Sequence, residues 1–343
     1  MRAAVYYRND DVRIEDRPRP AAGPGELLVR IMASGICGSD VMEWYRVRKA
    51  PVVLGHEVAG TVESAGEGVT AFRPGDRVVV SHHVPCMTCA FCREGKHTLC
   101  DTLRSTSFDP GGFCEFVRVP PLQTRIGTFA LPDAISFEEG SFVEPVACVL
   151  RGMRIAGMRE GRSVLVMGSG LSGLLHVKAA RMLGASFVAT TDLDDARLAA
   201  ARRFGANAAW RATEDVPALL EKALGRKGAD IVIVTTAALP ACTQALGCLT
   251  RGSVLLMFAL PDPGAVVPFP IHDLWMNGVV VTSTYAGAPD DFRAAIDALA
   301  SKRMTVADMI SHRLPLEDSA RGFKLVAAAR EALKVVVFPH GVP

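Results

Sequence analysis

Four cysteines fall within the stretch SHHVPCMTCAFCREGKHTLC: Cys86, Cys89, Cys92 and Cys100, out of nine in the chain. They supply four thiolates from one short loop, the number and type of ligand that a closed tetrahedral structural zinc site takes. Two disulfides or an iron–sulfur cluster are the competing readings, and the crowding of the first three sulfurs favours zinc. A closed four-sulfur site leaves no position for a substrate, so substrate chemistry must be sought elsewhere. Upstream, GICGSDVMEW and VLGHEVAGTVESAGEGV offer a thiolate (Cys37), an imidazole (His56) and a carboxylate (Glu57). Such a set can make the three-ligand, one-water pattern of catalytic zinc. Alone, Cys37 reads as a small buried hydrophobe and His56 as a turn residue. Gly55, Gly60, Gly66 and Gly68 tip the balance, because they mark backbone turning tightly around a site.

A third motif lies in SVLVMGSGLSGLLHVKAARMLGA, where an apolar strand runs into Gly168-x-Gly170-x-x-Gly173 and then a helix beginning near Leu171. That context makes the glycines a dinucleotide fingerprint: backbone approaches the pyrophosphate, and the helix N-terminus at Leu171 offers the cofactor free amides. Asp192 ends the next strand, where a carboxylate accepts bonds from ribose hydroxyls and repels a 2′-phosphate. NAD is therefore expected over NADP, with Arg197 leaving some tolerance for the latter. The bland role for Asp192, capping the following helix, can be filled by Asp194. His176 is expected to pack or cap locally, and Cys114, Cys148, Cys242 and Cys248 to serve as small apolar residues.

GHEVAGTVESAGEGV, together with the cysteine lobe and with CGSD, VSHHVPC, DPGGF and VEPVA, resembles the zinc-containing medium-chain dehydrogenase/reductase (alcohol dehydrogenase) family, in its sorbitol/polyol and threonine dehydrogenase-like branch. The resemblance covers essentially the whole chain. It implies an α/β fold, with a discontinuous β-rich GroES-like catalytic domain and a doubly wound Rossmann domain holding a six-stranded parallel sheet. It also implies one catalytic and one structural zinc per chain. Cys37 and His56 would bind the catalytic ion, with Glu57 or Glu144 completing its site. Ser39 would hydrogen-bond the substrate oxygen and accept its proton before hydride passes to the cofactor; Asp40 would orient the metal site. Many relatives place a histidine relay three residues after this serine, where this chain has Met42; cofactor ribose and water, or Glu43, would take its place. Tyr285, His83, Phe108 and Asp109 are candidate pocket residues, and His82 and His83 read equally well as the exposed end of a strand. Met42, Trp44 and Tyr45 suit an apolar substrate.

These motifs need two bodies to position them, and 343 residues suffice for two domains. Residues 1–150 read as Gly- and Pro-punctuated β sequence carrying both metal motifs, with the lobe at 84–101. SVLVM, FVATT, DIVIVTT, SVLLMFAL and VVVTST, separated by helix-length segments, mark βαβ units over 151–284. Between them SFEEGSFVEPVACVLRG begins a helix, capped by Ser136 with Glu139, that carries Glu144. Two helices and a closing strand follow; pattern alone leaves this tail with the cofactor half, whereas the resemblance returns 285–343 to the first domain. The active site is expected between the domains. The net charge of +2, from 38 basic and 36 acidic residues without a long basic run, argues against nucleic acid. No apolar stretch suits a membrane span or a signal peptide, so a cytoplasmic protein is expected.

The expected activity is NAD-linked oxidation of a secondary alcohol to a ketone, with a polyol or sugar alcohol as leading substrate. Threonine-like 3-hydroxy amino acids and hydrophobic or cyclic alcohols are the alternatives. A catalytically silent zinc- and NAD-binding regulatory protein is the rival from another class. Relatives assemble as dimers or tetramers, so a homodimer or homotetramer is expected, paired through VVVTSTY.

Overall fold

The computed structural model describes residues 1–259 and 261–342. The chain divides into two units, Met1–Ala147 with Ala286–Pro343, and Cys148–Tyr285.

In the first unit seven strands form one sheet, in the order Ile310–Pro315, Lys334–Phe338, Leu27–Ile36, Glu57–Ala65, Arg77–Val80 and Thr128–Ala130, with Phe116–Val119 also paired to Leu27–Ile36. A second sheet joins Asp11–Asp16, Arg2–Arg8 and Val52–Val53. Alternating apolar positions such as Leu27, Val29, Ile31, Val58, Val62 and Val78 meet Tyr6, Phe113 and Phe323 in one core. The long Leu27–Ile36 strand is the spine. It lies between Lys334–Phe338 and Glu57–Ala65, with Gly35 opposite both Val336 and Glu57.

The second unit is a six-stranded, all-parallel sheet in the order Ala208–Arg211, Phe187–Asp192, Ser163–Met167, Ala229–Val234, Leu249–Met257, Val280–Ser283. Numbered along the chain this is 3-2-1-4-5-6, the doubly wound Rossmann arrangement. Its two central strands are near-continuous apolar runs, as parallel strands covered on both faces must be: Ser163–Met167 is buried throughout and Ala229–Val234 at all but one position.

Local structure departs from the sequence expectations at some points and agrees with them at others. The strand Ala208–Arg211 is too short and too alanine-rich to stand out from its flanking helices, yet it forms the sheet's edge. A further strand, Ile310–Pro315, lies between the two C-terminal helices. Ser136 and Glu139 do exchange their capping bonds, at 3.2 and 2.9 Å, but the helix they cap spans only Phe137–Gly140; a second helix, Val143–Ile155, carries Glu144 in its first turn. Asp194 caps Asp195–Arg203 by accepting from Arg197 N at 3.0 Å, which leaves Asp192 without that duty. Among the described residues no helix is long and apolar enough to cross a membrane.

Candidate metal centres and dinucleotide site

Cys37 stands at the end of the Leu27–Ile36 strand, and His56 and Glu57 at the start of its neighbour Glu57–Ala65. The register Gly35↔Glu57 brings the two strand ends together. One ligand atom from each of Cys37, His56 and Glu57 then lies within 4.8 Å of the others. Glu144 is not in this group. Cys37 also opens a helical turn, Gly38–Val41: its sulfur accepts from Ser39 N at 3.4 Å, and its own N–H donates to Asp40 Oδ2 at 3.1 Å.

Asp40 is fully buried, with Oδ1 3.3 Å from His56 Nδ1 and 3.7 Å from the Arg46 guanidinium. Burial alone would favour the neutral acid, but His56 and Arg46 outweigh it and hold the carboxyl below its ordinary range. Burial likewise opposes charge on His56, and Asp40 reverses the balance, raising the imidazole well above its usual value. With Nδ1 held by Asp40, Nε2 is the nitrogen left for a metal, the usual division of labour in a ligand histidine.

Glu57 is almost wholly buried, and so is Lys334, whose ammonium donates to Glu57 Oε2. The ammonium also lies 5.3 Å from the centre of the Phe142 ring. The pair spans the central strand above Gly35, where a side-chain carbon would overlap both the carboxylate and the lysine. Sequence reading missed Lys334; the only signal was a lone lysine opening the apolar run KVVVF. The other carboxylate oxygen, Oε1, is buried without a hydrogen-bond partner among the described residues. An orphaned carboxylate oxygen, a thiolate and an imidazole fit a zinc ion by donor chemistry.

Histidines 82 and 83 are not an exposed strand end. The His82 ring centre is 4.8 Å from that of His56, and the His83 ring lies tilted against His82 at 3.8 Å. Burial, and then the charge of His56, push His83 down to about 4. Phe108 is built into the core, and Asp109 pairs with Arg118 at 3.1 Å. Tyr285 is exposed at the end of the second unit.

In the lobe, the sulfurs of Cys86, Cys89, Cys92 and Cys100 lie within 4.8 Å of one another, and all are free thiols. Bonds from Thr88 and Cys89 N hold Cys86 down to about 5, whereas burial pushes Cys92 up to about 12. Backbone N–H groups of Thr88 and Cys89 reach Cys86 Sγ at 3.4 and 3.3 Å, and Cys86 N reaches Cys100 Sγ at 3.3 Å. Donors aimed at sulfur suit thiolates around a cation. Among the described residues Leu103 is the one fully buried apolar side chain clustered with the cysteines, so metal is the natural holder of this lobe.

In the second unit Gly168 has φ +103°, and Gly173 sits where any side-chain carbon would strike the Gly168 carbonyl. Gly170 precedes the helix Leu171–Met182 and contributes no side-chain cap, which leaves its first amides for an anion. Asp192 accepts from Ser169 N at 2.7 Å and from Asp194 N at 3.0 Å, and Arg197 lies 4.0 Å away. Its carboxylate is thus fixed beside the glycine turn. His176 is a packing residue: Nδ1 meets Ser172 O at 2.7 Å and the ring packs edge-on against Phe258 at 4.5 Å.

Two family models match the chain, the alcohol dehydrogenase GroES-like domain over residues 23–128 and zinc-binding dehydrogenase over 173–301. Sorbitol dehydrogenase of Gallus gallus is 35% identical, over 98% of this chain and 95% of its own. An alcohol dehydrogenase from Thermus sp. ATN1 superposes with TM-score 0.87 at 29% identity, covering 98% of this chain and 99% of that one. A zinc-binding dehydrogenase from Sinorhizobium meliloti bound to NADP matches with TM-score 0.87 at 28% identity, over 98% and 99%. The chain belongs to the zinc-containing alcohol dehydrogenases of the medium-chain family. It is a zinc-dependent alcohol oxidoreductase that uses a nicotinamide cofactor.

Proposed function

We propose that the protein oxidises a secondary hydroxyl of a polyol or sugar alcohol to a ketone, with NAD as acceptor. The observation that carries this reading is the convergence of Cys37, His56 and Glu57 beside Ser39. Likeness to sorbitol dehydrogenases over almost the full chain supports the substrate class. Zinc held by Cys37 and His56, with Glu57 or Glu144, would lower the pKa of a hydroxyl placed against it. Ser39 hydrogen-bonds that hydroxyl, takes its proton and releases its own hydroxyl proton toward solvent, through cofactor ribose and water or through Glu43. Asp40 fixes the His56 ring, and Lys334 fixes the Glu57 carboxylate. The lobe cysteines would hold a second zinc and take no part in the chemistry.

NAD preference rests on Asp192, whose fixed carboxylate would face a 2′-phosphate unfavourably. Assembly as a homodimer or homotetramer is supported by the sheet edge Val280–Ser283, where Val280 is 54% exposed, and by the adjacent Trp275, 77% exposed. Apolar surface of that kind marks an interface. The nine free cysteines suit a reducing, cytoplasmic setting.

The test is NAD and NADP reduction by zinc-loaded protein with sorbitol, a sugar phosphate, threonine and cyclohexanol, with and without chelator. Chelator-sensitive reduction of NAD by sorbitol supports the reading. Turnover confined to threonine or cyclohexanol replaces the substrate class, and silence with zinc and NAD bound favours a regulatory role. Light scattering that gives a monomer would remove the assembly proposal.

A further inference from the structure

Arg46 closes the short helix Glu43–Arg46 and turns back on the residue proposed to handle the substrate proton. Its Nε donates to Ser39 O at 2.8 Å and one terminal nitrogen to Ser39 Oγ at 3.2 Å. The same nitrogen is 3.7 Å from Asp40 Oδ1, and the side chain is only 15% exposed. The guanidinium carbon lies 4.9 Å from the Tyr45 ring centre, which packs it from the side.

We propose that Arg46 is a positioning residue for the alcohol oxidation, acting through Ser39. A serine hydroxyl otherwise rotates freely, with one hydrogen to give and two lone pairs. Two bonds from one planar guanidinium to the carbonyl and hydroxyl of the same residue fix both its backbone turn and its side-chain rotamer. Because the guanidinium only donates, one Oγ lone pair is occupied and the hydroxyl hydrogen is turned away from Arg46. Arginine does not give up its proton near neutrality, so Arg46 cannot be the relay that Met42 leaves missing. Its charge instead stabilises electron density that develops on the hydroxyl and on the oxygen bonded to it. By touching Asp40, which touches His56, it also ties serine and metal ligand into one rigid unit.

The inference rests on the catalytic role proposed for Ser39, and a double-mutant cycle separates the two. Full-length zinc-loaded protein is assayed with NAD and whichever panel alcohol gives the highest kcat/KM. Arg46→Met is expected to lower kcat roughly 10- to 100-fold while KM changes less than about threefold, as loss of a charge-assisted bond used mainly in the transition state would do. Arg46→Lys, a point donor without the fork, should fall between. In a Ser39→Ala background Arg46→Met should cost less than about threefold more, because the group it positions is gone. Zinc content and thermal midpoint are read alongside. Equal effects of Arg46→Met with and without Ser39 overturn the proposal, and so does loss of zinc in both Arg46 variants, which would make the role structural. A Ser39→Ala enzyme as active as wild type removes the reading of Ser39 itself, and this inference with it.

Discussion

Lys334→Met is the sharpest test of how the metal-facing strands are held. Lysine and glutamate are both almost inaccessible, and their contact crosses the strand at Gly35. Methionine keeps most of the lysine's volume and its contact with Phe142 but removes the ammonium. Among the described residues Glu57 Oε1 already lacks a partner, so the substitution leaves a buried carboxylate with neither oxygen bonded by them. Removing one member of a buried ion pair costs about 3–5 kcal/mol, most of it the desolvation of the charge left behind. For a folding unit of 150–250 residues that corresponds to a fall in midpoint of roughly 6–20 °C. Trp44 is the first unit's single tryptophan, so its fluorescence in a Trp210→Phe, Trp275→Phe background reports that unit alone during thermal unfolding of the metal-free protein. Adding Glu57→Gln to Lys334→Met should recover a large part of the loss, because the uncompensated charge is then gone. A loss below about 1 kcal/mol, or no recovery in the double variant, would show that Glu57 is solvated or otherwise neutralised and that the pair does not hold these strands.

Gly35→Ala should destabilise the same unit by about 1–3 kcal/mol, since its methyl must push the Glu57–Lys334 pair aside; thermal unfolding checks it. Cys37→Ser should abolish turnover while NAD binding and the thermal midpoint stay near wild type, whereas Cys89→Ser should lose one zinc per chain and loosen the lobe, as metal analysis and limited proteolysis would show. Burial pushes the fully buried His176 down to about 4 from an ordinary 6.5. The unfolded chain therefore binds a proton that the folded second unit refuses between those pH values. Stability of that unit should fall by about 3 kcal/mol as pH drops from 6.5 to 4, and His176→Leu should flatten that slope in denaturant titrations followed by Trp210 fluorescence.

What could be read from the sequence was chemistry carried by local spacing. The cysteine lobe, the Gly168–Gly173 turn and the Ser136/Glu139 cap each lie within one segment, so spacing alone specifies their geometry. The parallel strands were legible where they are long and β-branched, as in Ala229–Val234, and illegible in Ala208–Arg211, whose pairing with Phe187–Asp192 decides its state. Lys334 and Arg46 stayed hidden for a related reason. Their partners are set by the register of three strands and by a helical turn folding back, and neither leaves a pattern along the chain.

The hidden residues are the ones that make the site rigid. A thiolate, an imidazole and a carboxylate at strand ends can be brought together by sheet register, but register fixes backbone to within a rotamer and no further. Here each group is held by a second one: Cys37 by Ser39 N, His56 by Asp40, Glu57 by Lys334, and Ser39 by Arg46. Three of those four supports are charged, and Asp40 and Lys334 are almost or wholly shielded from water. Burying such charges stabilises the fold little or not at all relative to apolar packing. What they contribute is orientation, because a metal-assisted proton and hydride transfer depends on donor positions held to about half an ångström. On this argument Asp40→Asn, which keeps the shape and one acceptor oxygen but removes the charge and the second acceptor, should change zinc affinity and kcat more than the thermal midpoint. An effect confined to the midpoint would assign Asp40 to the fold alone.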